Sequence, residues 1–115
     1  MSTVRSVLIE DLAELEAYGA SWDALAVKLG RPYCAPAWML AWLRHAEPRA
    51  KLRTVVALDG ERMVGIAPFY VTRNRLGVGR YSLLAAASCS PVEPLAEPGR
   101  EREAAAAFAS CLASA

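Results

Sequence analysis

The sequence has few of the residues from which metal and nucleophile sites are built. It contains one histidine, His45, and three cysteines, Cys34, Cys89 and Cys111, which are far apart. This spacing fits neither a zinc site nor a disulfide framework. The pattern predicts free thiols, as in a reducing cytoplasm.

Long apolar runs are also missing. No stretch approaches the roughly 20 apolar residues that a membrane-spanning helix requires. The first ten residues lack the basic head and apolar core of a secretory signal. We therefore expect a cytoplasmic protein that does not insert into a membrane.

An excess of one charge is absent from the chain as a whole. Thirteen basic and twelve acidic residues give a net charge of +1, which argues against a general nucleic-acid binder. Residues 48–80 carry seven basic and two acidic groups, a net +5. This basic zone indicates a solvated face rather than an anion site.

The composition is sufficient for one folded domain over residues 1–115. Apolar residues make up 55% of the 115, although 23 of them are alanine. A first strand is predicted at residues 4–9, followed by a short helix capped by Asp11. Further helices are predicted at 21–29, capped by Ser21, and at 36–46 and 100–114.

The clearest local signal is a β-hairpin. Two apolar segments, 52–58 and 62–71, flank Asp59-Gly60, a pair that accepts the backbone angles of a tight turn. Pro68 in the second arm indicates an edge or a bulge, because proline has no N–H for the ladder. Residues 81–87 fit a third strand or a short helix, and residues 88–99 are expected to be irregular. The fold class is α+β, with an antiparallel or mixed sheet and packed helices.

Gly77-Val78-Gly79 raises the question of a phosphate loop. It matches neither a dinucleotide fingerprint nor a P-loop. It is closer to the acetyl-CoA loop of GNAT acetyltransferases, but Asn74 stands where that loop has Gln or Arg. We interpret it as a basic loop between two strands and predict that this chain alone does not bind acetyl-CoA.

Three tryptophans recur at helical spacing. Trp22, Trp38 and Trp42 are interpreted as core residues, with Trp38 and Trp42 buried against the hairpin. The alternative is an aromatic ligand pocket. His45 is interpreted as a surface residue near a helix end, where the helix dipole favours it.

The order of these features is more specific than any one of them. The chain has Trp22-x-x-Leu25, then Pro36-x-Trp38 with Trp42, then Met63-Val64-Gly65-Ile66-Ala67-Pro68-Phe69-Tyr70, and a Pro-rich loop over residues 90–94. In this it resembles the N-terminal region of the CelD-like GNAT acyltransferases, which are associated with cellulose or other exopolysaccharide synthesis. It departs at Ala35, where the family often has Ser, and at Phe69, where it often has Leu.

The resemblance implies a GNAT-like fold and a chain that is an incomplete, N-terminal piece of a longer bacterial protein. The intact protein would use acetyl-CoA or another acyl-CoA, held by a C-terminal GNAT domain. This chain, inactive alone, would form the acceptor side of an N- or O-acyltransferase for a small molecule or a saccharide. The alternative is a non-catalytic GNAT-like module that packs on another domain or partner. No catalytic residue can be assigned.

Three residues are candidates for the acceptor site. A bulge in a central GNAT strand splays the sheet, and here Pro68 would enforce the break while Gly65 allows close backbone approach. Tyr70 would then point toward the cleft, and Tyr33 could reach it from the turn between two helices. The alternative is that both tyrosines simply pack, with their hydroxyls in water.

Overall fold

The structure, a computed structural model, describes residues 3–46, 50–73, 75–86 and 92–114. They form an α+β domain, as predicted. The strands are β1 Val4–Ile9, β2 Lys51–Leu52, β3 Thr54–Asp59, β4 Arg62–Ala67, β5 Phe69–Arg73, β6 Gly79–Leu83 and β7 Leu95–Ala96. The helices are α1 Leu12–Ala17, α2 Gly19–Leu29, α3 Pro36–Ala46 and α4 Glu101–Ser114, with a 3₁₀ turn at Pro32–Cys34.

The strands form two antiparallel sheets in the order β1-β3-β4-β7 and β2-β5-β6. A single bent hairpin connects them, because β2 and β3 are one arm and β4 and β5 the other. Leu52 pairs with Tyr70 on one side of the bend, and Val55 pairs with Ala67 on the other. The register is the same on both sides. The predicted hairpin is therefore confirmed, and each arm changes sheet at the bend.

Pro68 lies at this bend, where the sequence predicted a bulge or an edge. Its carbonyl oxygen accepts a hydrogen bond from the amide of Leu84 at 3.0 Å, so β6 lies beside β5 up to this point. On the other side of Pro68, β7 lies beside β4, and Leu95 pairs with Ile66. The missing N–H of proline coincides with the change of neighbouring strand.

The hairpin turn lies one residue later than predicted. Asp59 is the last residue of β3 and pairs with Arg62, so Gly60 and Glu61 form the turn. Gly60 has φ of 64°, which a glycine adopts at no steric cost.

Helix boundaries follow local capping in part. Asp11 caps α1 as predicted, since its Oδ1 accepts a hydrogen bond from the amide of Ala13 at 3.3 Å. The prediction that Ser21 caps α2 is wrong. The chain passes directly from α1 into α2, which begins at Gly19, and the amide of Trp22 donates to the carbonyl of Tyr18. Gly30, with φ of 65°, ends α2 in the left-handed conformation.

Helices cover both faces of the larger sheet. One face packs against α1, α2 and α3 and the other against α4. The first core contains Ile9, Leu15, Trp22, Leu25, Met39, Leu43, Val56, Leu58, Ile66 and Leu95, and the second Val55, Ala57, Val64, Ala67, Ala104 and Phe108.

Gly65 permits a close approach between α4 and the sheet. A Cβ at this position would lie 3.0 Å from the Cβ of Ala104 and 3.0 Å from the carbonyl oxygen of Leu95. A close backbone approach was predicted at Gly65. The structure shows that α4 and β7 make this approach.

The predictions for residues 81–99 are resolved in part. The strand alternative is correct, with β6 at Gly79–Leu83, while Ala87 lies outside the described residues. The expected irregular segment contains the short strand β7, which was missed, and residues 88–91 are not described. In the described part of the chain, no helix has the length and apolar character to cross a membrane.

Candidate functional site

Aromatic side chains line one side of α3. Trp38 and Trp42 lie four residues apart, so they project from the same face of the helix one turn apart. Each has a tyrosine partner. The rings of Tyr33 and Trp38 meet edge to face with centroids 5.8 Å apart, and those of Trp42 and Tyr70 are tilted at 5.5 Å.

The tryptophans differ in burial, and the prediction that both residues on α3 are buried is wrong for Trp38. Trp22 is fully buried and Trp42 is half-buried, whereas Trp38 is 38% exposed. The residues of α3 that enter the core are Met39, Leu40 and Leu43. Trp38 and Trp42 therefore lie beside the buried residues of α3. Trp42, which contacts Tyr70, is less exposed than Trp38.

A hydrogen bond in the core holds the 3₁₀ turn that carries Tyr33. Inside the core, the indole Nε1 of Trp22 donates a hydrogen bond to the carbonyl oxygen of Cys34 at 2.7 Å. Burial raises the pKa of the Cys34 thiol, which keeps the thiol in its neutral form. Because the turn is held at its inner end, Tyr33 projects outward and is 45% exposed.

The three predicted acceptor residues have different environments. Tyr33 is exposed, Tyr70 is 6% exposed in the core under Trp42, and Pro68 is fully buried. Both tyrosines contact the same helix, but each contacts its own tryptophan. That they line an acceptor site stays a prediction, and in this conformation Pro68 acts on the shape of the sheet through its backbone.

A polar cluster at the bend was missed by the sequence analysis. The carbonyl oxygen of Phe69 accepts hydrogen bonds from the Arg53 amide at 3.0 Å and from the buried hydroxyl of Thr54 at 3.3 Å. The Arg53 guanidinium donates to the Tyr81 hydroxyl at 3.2 Å and to the Glu10 carboxylate at 3.1 Å. Tyr81 and Glu10 together raise the pKa of Arg53. The sequence signal for this cluster was Arg53, a charged residue within the apolar segment 52–58.

An open cleft lies beside this cluster, at the end of β1 and along the edge of β2. It has a volume of about 560 Å³ and is lined by Glu10, Asp11, Leu12, Leu43, Arg44, Ala50, Lys51 and Leu52. Three of its four charged groups are engaged within the protein. Glu10 binds Arg53, Arg44 binds Glu16 at 2.7 Å, and Asp11 caps α1. Among the charged residues described in this cleft, Lys51 forms no ion pair with a described carboxylate.

The Gly77–Gly79 segment joins antiparallel β5 and β6 and opens no helix. The interpretation as a loop between two strands is confirmed, while Asn74 itself lies outside the described residues. A pyrophosphate cradle needs the free N–H groups of a helix start. The first turn of α4 carries Glu101 and Glu103, which would repel an anion. These residues do not fit a CoA site of the GNAT kind.

Groups for covalent or metal chemistry are sparse. Within the residues that the structure covers, no three His, Cys, Asp or Glu side chains are grouped to hold a metal ion. His45 lies exposed in the last turn of α3, as the surface interpretation predicted. What the aromatic side chains can supply is stacking and hydroxyl hydrogen bonds.

Comparisons of the chain with protein-family models, with curated proteins and with solved structures give no match. Over the residues that the structure describes, the fold is an α+β domain of two antiparallel sheets and four α-helices.

Proposed function

We propose that this domain forms the acceptor-binding half of a GNAT-type, acyl-CoA-dependent N- or O-acyltransferase, within a longer protein. The supporting observation is the bent hairpin, in which a strand of the larger sheet is broken at Pro68 and continues as β5 of the smaller sheet. In a GNAT fold, a break of this kind opens the sheet for the substrate. The order of motifs along the chain supports the same proposal.

The contribution of this chain would be to bind and orient the acceptor. Tyr33 and Trp38 offer two exposed rings at right angles, on which an apolar ring face can stack. The indole N–H and the phenol hydroxyl add hydrogen-bonding groups for an alcohol or an amine. Acyl-CoA would be held by a second domain, because the glycine segment of this chain does not fit it.

Acceptor binding can be tested with the chain itself. We expect glucosamine, cellotriose or spermidine to shift the NMR signals of the Trp38 indole and the Tyr33 ring in a saturable manner. The signal of buried Trp22 serves as an internal control. Tyr33→Ala should abolish the shifts.

Tyr81→Ala is the matched control, because Tyr81 is also 45% exposed and also meets an aromatic partner, Phe69, edge to face. The proposal is wrong if none of the three acceptors shifts the Trp38 signal, or if both variants reduce the shift equally.

A second candidate is the interaction module, and it is favoured by a different surface. Helix α4 packs chiefly on β1, β3 and β4, and Phe69 of the smaller sheet packs against the same core. Phe69, Val71 and Leu83 are half-buried on one face of the smaller sheet, where Tyr81 is exposed. Full occupation of this surface by a partner, without any acceptor binding, would support the module instead.

A further inference from the structure

Among the described residues, β6 is an edge strand of the smaller sheet. β6 pairs with β5 alone, as the last strand of the order β2-β5-β6. The bond from Leu84 to Pro68 fixes the alternation of the ladder, so the backbone groups of Arg80 and Ser82 point toward β5. Those of Tyr81 and Leu83 point away from it. Among the described backbone groups, none bonds to these outward-facing ones.

The two sides of β6 differ in chemistry. Tyr81 and Leu83 lie on the same face as Phe69, and the Tyr81 ring contacts Phe69 at a centroid distance of 6.1 Å. The Tyr81 hydroxyl accepts a hydrogen bond from Arg53 on this face. Arg80 lies on the opposite side and is exposed. The neighbouring turn adds Leu76 and Val78, which are 88% and 60% exposed.

Three arginines lie on β5, β6 and the turn between them, namely Arg73, Arg80 and Arg75. On the Tyr81 side, the Glu10 carboxylate is paired with Arg53. Five other arginines, Arg31, Arg44, Arg53, Arg62 and Arg100, form ion pairs with carboxylates. No ion pair joins Arg73, Arg75 or Arg80 to a carboxylate that the structure describes. Positive side chains therefore lie beside Tyr81 and Leu83, whose outward backbone groups have no partner among the described residues.

We propose that the edge of β6 binds an extended, acidic segment of a partner protein, which adds to the smaller sheet as a fourth strand. Its backbone would bond to Tyr81 and Leu83, and its side chains would alternate between apolar and acidic. The apolar ones would cover Tyr81 and Leu83, and the acidic ones would face Arg80. This surface is separate from the proposed acceptor site and does not depend on it.

A peptide partner fits better than a nucleic acid. Strand addition uses backbone donors and acceptors at the spacing that Tyr81 and Leu83 present, whereas a polyphosphate chain uses cations alone. The Tyr81 and Leu83 side chains would remain uncovered under a phosphate backbone. The segment 48–80 is basic, but the chain as a whole carries only +1.

The probe is an acetylated, amidated octapeptide of alternating glutamate and valine, added to the ¹⁵N-labelled chain. We expect saturable binding, with the amides of Tyr81 and Leu83 protected from hydrogen exchange by tenfold or more, on the order seen for ladder amides. Binding should weaken as salt is raised. A peptide of alternating lysine and valine should not bind.

Charge reversal identifies the contact. Arg80→Glu should weaken binding about tenfold, since a like charge then faces the acidic side chains. Arg102→Glu is the matched control, because Arg102 is an exposed arginine of α4, away from this edge. Arg75→Glu is a second test, in case Arg80→Glu disturbs the fold.

Three results would overturn the proposal. The first is equal binding of the lysine peptide, which would indicate non-specific hydrophobic binding to Tyr81 and Leu83. The second is self-association of the free chain in sedimentation, with the Tyr81 and Leu83 amides already protected. The third is protection of these amides by a single-stranded oligonucleotide but not by the acidic peptide.

Discussion

The indole of Trp22 and the carbonyl oxygen of Cys34 are joined by a buried hydrogen bond of 2.7 Å. This bond links the middle of α2 to the turn that precedes α3 and so sets the position of Tyr33. A buried carbonyl oxygen that loses its hydrogen-bond donor destabilises the folded state by the desolvation free energy of that group. The stability of the domain and the exposure of its aromatic pair therefore depend on the same contact.

Trp22→Phe tests this dependence. It keeps an aromatic ring in the core but removes the N–H, and we expect a loss of about 1–3 kcal/mol in the free energy of unfolding. Urea denaturation followed by circular dichroism measures it. Trp38→Phe, at an exposed site, should cost less than about 0.5 kcal/mol. Equal losses in the two variants would contradict the prediction.

Gly65→Ala tests the approach of α4 to the sheet. The added Cβ would press on Ala104, Leu95 and Phe108 at 3.0–3.1 Å, and overpacking of this kind costs about 1–3 kcal/mol. The double variant with Ala104→Gly should recover part of the loss in thermal melts. Gly19→Ala is the control, since nothing lies within 4 Å of its Cβ position and a helix favours alanine. A neutral Gly65→Ala would show that α4 can move away.

The pH dependence of stability should include Asp59. The Thr3 hydroxyl and the Arg100 guanidinium donate to its two carboxylate oxygens, each at 3.0 Å, and hold its pKa below the usual value. The folded protein thus binds the proton less well than the unfolded chain. Stability from this group is present above the unfolded pKa of about 3.9 and is lost as the pH falls through the folded pKa.

Asp59→Asn should therefore destabilise the protein at neutral pH and flatten the decline in stability below about pH 4. Denaturant midpoints measured between neutral and acidic pH give the two curves. Asp23→Asn, at an exposed position of α2, is the matched control variant. Parallel curves for wild type and Asp59→Asn would exclude a contribution from this carboxylate.

The Cys34 thiol should be inert in the folded state. It is 1% exposed, and burial raises its pKa, so both access and thiolate formation are suppressed. In a variant with Cys89→Ser and Cys111→Ser, alkylation by iodoacetamide should be on the order of 100-fold slower than in denaturant. Alkylation at similar rates in both conditions would mean that the turn at Pro32–Cys34 opens readily.

Local signals were sufficient for most elements of the fold. The hairpin, the cap at Asp11 and the helix end at Gly30 each depend on a few neighbouring residues, and each was predicted. The two-residue strand β7 was missed because its pairing with β4 is a long-range contact with no periodicity in so short a segment. The break at Pro68 could be located, but not the second sheet beyond it, because proline only removes a hydrogen bond.

The candidate site was less predictable for a related reason. Spacing places Trp38 and Trp42 on one face of α3. How far that face is buried depends on how Met39 and Leu43 pack the helix against the core. The bonds from Arg53 to Tyr81 and Glu10 connect three elements that are distant in sequence. No pattern along the chain specifies them.

The change of neighbouring strand at Pro68 bears on how long the segment between β6 and β7 can be. β6 leaves the hairpin at Leu84, and β7 returns to it at Leu95, almost at the level where β6 left. Both ends of the intervening segment are thus anchored side by side, independently of how many residues lie between them. Lengthening it would add only closure entropy, about 0.6 kcal/mol for each doubling. This position would accept an inserted tag or a whole added domain while both sheets keep their register.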